Sequence, residues 1–85
     1  MLHLVELHYS RETRSALLEY FDEHGVTPGQ PGVSVLCGWV ATEEFTAYLI
    51  VKADSAVNLE TAVERLSKFG RVTHRHVVNL EDLAK

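Results

Sequence analysis

His74 and His76 stand two residues apart, and on a strand that spacing sends both side chains to one face. Imidazole binds transition metals, and a catalytic zinc site asks for three protein donors and one open position. His8 supplies a third donor from the other end of the chain, with Glu6 as its substitute, so the metal-binding option is His8, His74 and His76. An imidazole titrates near pH 6.5, which also makes His8 a candidate base for moving a proton. A second group gathers aromatic side chains around the same histidine. His8, Trp39, Tyr48 and His76 are the candidate ligand-binding residues, with His8 as base and Tyr48 or His76 orienting the ligand. Trp39 and Tyr48 suit a protein interface equally well, because aromatic residues anchor such surfaces. Cys37 would be a nucleophile only with a histidine beside it, and in mid-strand it reads as a small buried hydrophobe. Arg11 and Arg14 could grip a carboxylate or phosphate, or simply be solvated. Pro28-Gly29-Gln30-Pro31-Gly32 lacks the Lys-Ser/Thr of a phosphate cradle and reads as a turn.

These residues need a scaffold, and the apolar pattern supplies one. Leu2 to Tyr9 is dense in apolar residues and predicts a strand. Ser10 predicts a helix cap, Glu12 suits the positive end of that helix, and Leu17, Leu18 and Phe21 form its apolar stripe with Ala16 and Tyr20 at the margins. This helix runs to about His24 and stops at Gly25, and Val26 to Gly32 is a loop. Strands follow over Val33 to Ala41 and Glu44 to Lys52, joined by Thr42-Glu43. Asp54 or Ser55 caps a second helix, with Asn58 as a rival start; Leu59, Ala62, Val63, Leu66 and Phe69 make its buried face. Gly70 ends it, Arg71 to Leu80 is a last strand rich in β-branched residues, and Glu81 to Lys85 is a short turn. The order β-α-β-β-α-β is the ferredoxin-like pattern, an α+β fold. Its first and third strands lie in the centre of a four-stranded antiparallel sheet, with two helices on one face.

A two-residue loop at Thr42-Glu43 pairs Ala41 with Glu44, Trp39 with Thr46, Cys37 with Tyr48 and Val35 with Ile50. One face then carries Leu36, Val40, Phe45, Ala47, Leu49 and Val51, with Gly38 leaving room for a helix. The other carries Val33, Val35, Cys37, Trp39, Thr46, Tyr48 and Ile50, joined by Leu4, Glu6 and His8. A solvated sheet face should be polar, and this one is not. Two helices cover one face only, so the other predicts burial against a partner, most simply a second copy. The last strand offers no clean apolar side: Val72, His74, His76 and Val78 alternate with Thr73, Arg75 and Val77.

Eighty-five residues suffice for one domain, residues 1–85. Eight basic against twelve acidic residues give a net charge of -4, which argues against a nucleic-acid binder. The third strand has aromatics but no basic Gly-rich entry of the RNA-binding kind. One cysteine excludes an internal disulfide framework and a Cys-based zinc site. The longest uncharged run, Gly25 to Thr42, contains two prolines and four glycines, so it predicts no membrane helix. No basic export leader opens the chain, and with a lone thiol the expectation is the cytoplasm. No cofactor is expected.

Several segments are similar to a known family: Arg11-Glu12-Thr13-Arg14, Pro31-Gly32-Val33 and Leu36-Cys37-Gly38-Trp39, then Tyr48-Leu49-Ile50-Val51 into Ala53-Asp54-Ser55, and Val77-Val78-Asn79-Leu80. In these the chain resembles the DUF3303-type small bacterial proteins, within the dimeric α/β-barrel group of ferredoxin-like folds. The resemblance spans nearly the whole chain. It implies a homodimer, supplies no established reaction, and places a ligand cavity between sheet and helices or within the dimeric barrel. The expected function is therefore a protein of uncharacterised role that dimerises through its sheet face and binds a small apolar or aromatic ligand. The alternative is a cofactor-independent monooxygenase- or isomerase-like enzyme with a His base.

Overall fold

Alternation along the first eight residues buries every second side chain, so His3, Val5 and Leu7 point inward from β1 (Leu2–Tyr9). In the computed structural model, which describes residues 2–24 and 31–83 apart from the His24 side chain, this strand sits inside a four-stranded antiparallel sheet. Its neighbours are β3 (Thr46–Ala53) and β4 (Gly70–Val77); β2 (Val33–Ala41) lies outside β3, giving the order β2-β3-β1-β4. Helices α1 (Arg14–His24) and α2 (Ala56–Ser67) cross between strands, and a four-residue α3 (Leu80–Leu83) follows β4. The fold is α+β and ferredoxin-like, as the order of elements predicts, with α3 in place of a terminal turn. The expected Gly25 stop and most of the Pro-Gly loop lie outside the described residues.

Local chemistry sets the helix starts. The Ser10 hydroxyl accepts from the Thr13 N–H at 3.3 Å, and the Thr13 hydroxyl accepts from the Ser10 N–H at 3.0 Å, a reciprocal pair that closes the turn leading into α1. The Ser55 hydroxyl caps α2 by accepting from the Asn58 N–H at 3.1 Å, which settles the start in favour of Ser55. Both helices contribute to one cluster on one face of the sheet: Leu17 from α1, Leu59, Ala62 and Leu66 from α2, with Phe69 beyond its end. Val5 and Leu7 of β1 and Ala47, Leu49, Val51 and Ala53 of β3 form its floor. Leu18 departs from the predicted stripe and is 53% exposed, because one residue turns a helix by about 100° and Leu17 already faces the sheet. Tyr20 joins α1 to the far end of α2 by packing on Phe69, ring centres 5.2 Å apart.

The β2–β3 hairpin differs from its predicted register, and the difference re-sorts the faces. The connection is four residues long, Thr42 to Phe45, closed by a Glu44 N–H donating to the Ala41 carbonyl at 3.1 Å. Phe45 takes the left-handed region at φ 51 and packs its ring edge-on to Tyr9. Ala41 therefore pairs with Thr46 rather than Glu44, Trp39 with Tyr48, and Cys37 with Ile50. A bulge between Val35 and Cys37 then leaves Leu36 unpaired, and Val35 faces Val51 and Val33 faces Ala53. One extra residue inverts the parity of everything before it. Val33 and Val35, predicted on the open face, thus belong to the helix-covered core, while Leu36, predicted in the core, is exposed. Gly38 does face the helices, and the space above it is taken by Leu49 rather than by a helix, since a Cβ there would lie 2.8 Å from Leu49 Cδ2. Gly70 opens β4 beside the end of β1, where a Cβ would collide with the His8 carbonyl.

Candidate functional site

Pairing fixes what the open face presents. Across the four strands the register lays down rows: Trp39, Tyr48, Glu6 and Thr73 form one, and Cys37, Ile50, Leu4 and Arg75 the next. Ala41, Thr46, His8 and Arg71 flank them on one side, and Ser34, Lys52, Leu2 and Val77 on the other. The apolar content is concentrated on β2, β3 and the first half of β1. The β4 edge adds Arg71, Thr73 and Arg75, with Arg75 Nη2 donating to Glu6 Oε2 at 3.1 Å and the Thr73 hydroxyl donating to the same oxygen at 3.2 Å. Trp39 is 62% exposed, and among the described residues no helix lies over it.

His8 is held by Thr46, whose Oγ1 lies 3.2 Å from His8 Nδ1. The same hydroxyl donates to the Glu44 carbonyl at 3.1 Å. A hydroxyl has one proton to give, so Thr46 accepts from Nδ1–H of His8, and in the neutral ring the lone pair is then on Nε2. The Tyr48 proton is already engaged. Desolvation first, then the carboxylates of Glu44 and Glu6 and a hydrogen bond donated to the Glu44 carboxylate, hold its phenol above the usual tyrosine range.

The sequence-predicted sets divide between two faces. His8, Trp39 and Tyr48 share the open face, with His8 one row away from Tyr48 and two strands from Trp39. His76 does not join them. It pairs with His3 and turns with it toward the helices, as does His74 opposite Val5. The set His8, His74 and His76 is therefore split by the sheet itself. Cys37 is exposed rather than buried, and β3 separates it from His8, so it gains no histidine partner.

The residue that sequence reasoning missed is His3. It shares the inward parity of Val5 and Leu7, a signal present in the alternation of β1. His3 is 8% exposed, and both of its ring nitrogens are buried without a hydrogen-bond partner. Its ring centre lies 5.6 Å from that of His74 and 5.6 Å from that of His76, edge-on to each. Burial first, then the charges of His74 and His76, lower its pKa below the ordinary value of 6.5.

This has a consequence for stability in acid. The unfolded chain protonates the ring near pH 6.5 while the folded chain resists, so the stabilisation is complete above that pH and is lost as the pH falls through and below it. The slope from this group is at most about 1.4 kcal/mol per pH unit. Urea midpoints at pH 7.5 and 5.5, measured with a chelator present so that no metal competes for the rings, should differ more for the native protein than for His3→Leu. Equal differences would remove His3 as the cause.

A family model, DUF3303, described as a domain of unknown function, matches residues 1–85. No curated protein and no solved structure matches the chain significantly.

Proposed function

We propose a function from geometry, starting from the premise that the chain belongs to the DUF3303 family, whose description assigns none: it assembles as a two-fold dimer through the open face of its sheet. The carrying observation is that face, where Leu2, Leu4, Trp39, Tyr48, Ile50 and Val77 share one surface while both long helices lie on the other. Area supports the reading. Four strands about 4.8 Å apart and eight residues long at about 3.3 Å each present roughly 500 Å² per copy. Two copies face to face would bury about 1,000 Å², the lower bound for a specific interface. A second copy also matches this face in character, because each sheet offers an apolar area along β2, β3 and the start of β1 bordered by Arg71, Thr73 and Arg75 of β4.

A small apolar or aromatic ligand enclosed between the two sheets would meet Trp39 as a wall, with the Tyr48 hydroxyl oxygen and, in the neutral ring, His8 Nε2 as acceptors. An exposed free thiol at Cys37 fits a reducing compartment, and we place the protein, acting as one domain, in the cytoplasm. Sedimentation equilibrium of the purified chain tests the assembly. The expected mass is twice 9.6 kDa at micromolar concentration, and a monomer throughout would overturn it.

A further inference from the structure

We propose that His3, His74 and His76 form a binding site for a divalent transition metal of the zinc class, on the helix-covered side of the sheet. The site is separate from the proposed dimer face and does not rest on it.

The register brings the three rings together. A His-x-His pair on β4 presents both side chains to one face, and His3 on β1 is the direct cross-strand partner of His76. Imidazoles on one tetrahedral ion, with metal–nitrogen bonds of about 2.0–2.1 Å, have ring centres roughly 5 Å apart. The observed separations, 5.6 Å from His3 to each of the other two, are already close to that. The independent pointer is His3 itself. A buried imidazole with neither nitrogen satisfied is destabilising, and a ligand that takes one nitrogen removes part of that cost.

As the side chains stand, no three potential ligands among the described residues converge on a common point. His74 and His76 are exposed, so their rings have room to turn toward the fixed, buried His3, and the proposed site requires that turn. His74 also lines a groove of about 360 Å³ against α2, whose wall carries Glu60 and Glu64. Three neutral imidazoles bring no charge, and two nearby carboxylates offset that of the cation. Three histidines leave the fourth position of a tetrahedral ion for water or a small anion.

Zinc titrated alone into tag-free protein at pH 7.5, followed by calorimetry, tests the site, with cobalt(II) as a spectroscopic probe of tetrahedral nitrogen ligation. One ion per chain is expected. His74→Ala and His76→Ala should each weaken binding by at least about tenfold, since loss of a mere outer-shell partner costs that much. His8→Ala, on the opposite face, should leave it unchanged. Both ring deletions remove exposed side chains and should keep the native circular dichroism, so loss of binding cannot be put down to unfolding. No binding up to about 100 μM zinc, which is weaker than about -5.5 kcal/mol, would overturn the proposal. Binding that survives in both ring variants, or that falls equally in His8→Ala, would do the same.

Discussion

Trp39→Ala is expected to weaken self-association by at least about thirtyfold, the loss of roughly 2 kcal/mol that marks an interface anchor. Trp39 has the most to lose of any aromatic on the open face, being large and 62% exposed in the single chain. The same exposure means that its removal should change the stability of the isolated subunit by no more than about 0.5 kcal/mol. The two effects are separable: sedimentation reads the first, and denaturation at high dilution reads the second. A further readout needs no variant. Trp39 is the one tryptophan of the chain, so its emission should move to shorter wavelength as concentration rises through the dissociation constant. Emission that stays solvent-like at every concentration would show that the ring is never covered.

The largest effect on folding is expected at Leu7, the one large side chain with no exposed surface among the described residues. It lies between Ala47 on β3 and Val72 on β4, beneath the helices. Leu7→Ala removes buried methyl groups and leaves a cavity that two paired strands cannot easily close, a cost of about 2–5 kcal/mol. A domain of this kind has a total stability of about 5–15 kcal/mol, so the variant should be close to the edge of folding. Urea denaturation should show a lower midpoint at an unchanged slope. Leu80→Ala gives the contrast. Leu80 is 79% exposed on α3, and its loss should move the midpoint by less than about 0.5 kcal/mol. Similar shifts for the two would contradict the placement of the core. Because assembly stabilises folded subunits by mass action, both comparisons belong at one protein concentration.

Much of the scaffold was legible because its signals are local. Ser55 caps α2, and Ser10 closes the turn that leads into α1, each through a hydrogen bond from the residue three positions on, so a short window of sequence contains both partners. The stripe of α2 and the alternation of β1 are read from spacing alone. The candidate site was legible in part. His8, Trp39 and Tyr48 were placed on one face because β1 and β3 keep regular parity. The errors fall where parity is not a local property. The Leu36 bulge, invisible in spacing, carried Val33 and Val35 from one face to the other. The hairpin loop was read as two residues, and its four-residue form moved the β2 partners along β3 by two positions while keeping them on the same face.

Sequence by itself determined the order of elements, the helix-covered core of Val5, Leu7, Leu49, Leu59 and Leu66, and the placing of His8, Trp39 and Tyr48 on the other face. Tertiary structure alone decided which way β4 faces. Its two sides are chemically mixed, with Val72, His74 and His76 on one and Arg71, Thr73 and Arg75 on the other, so burial preference does not choose between them. Pairing with β1 chooses: Val72 is set beside Leu7, Arg75 reaches Glu6, and the two histidines meet His3 instead of His8. A strand's own residues fix that alternate side chains part company. Only the neighbour it hydrogen-bonds to fixes which of them go to the core.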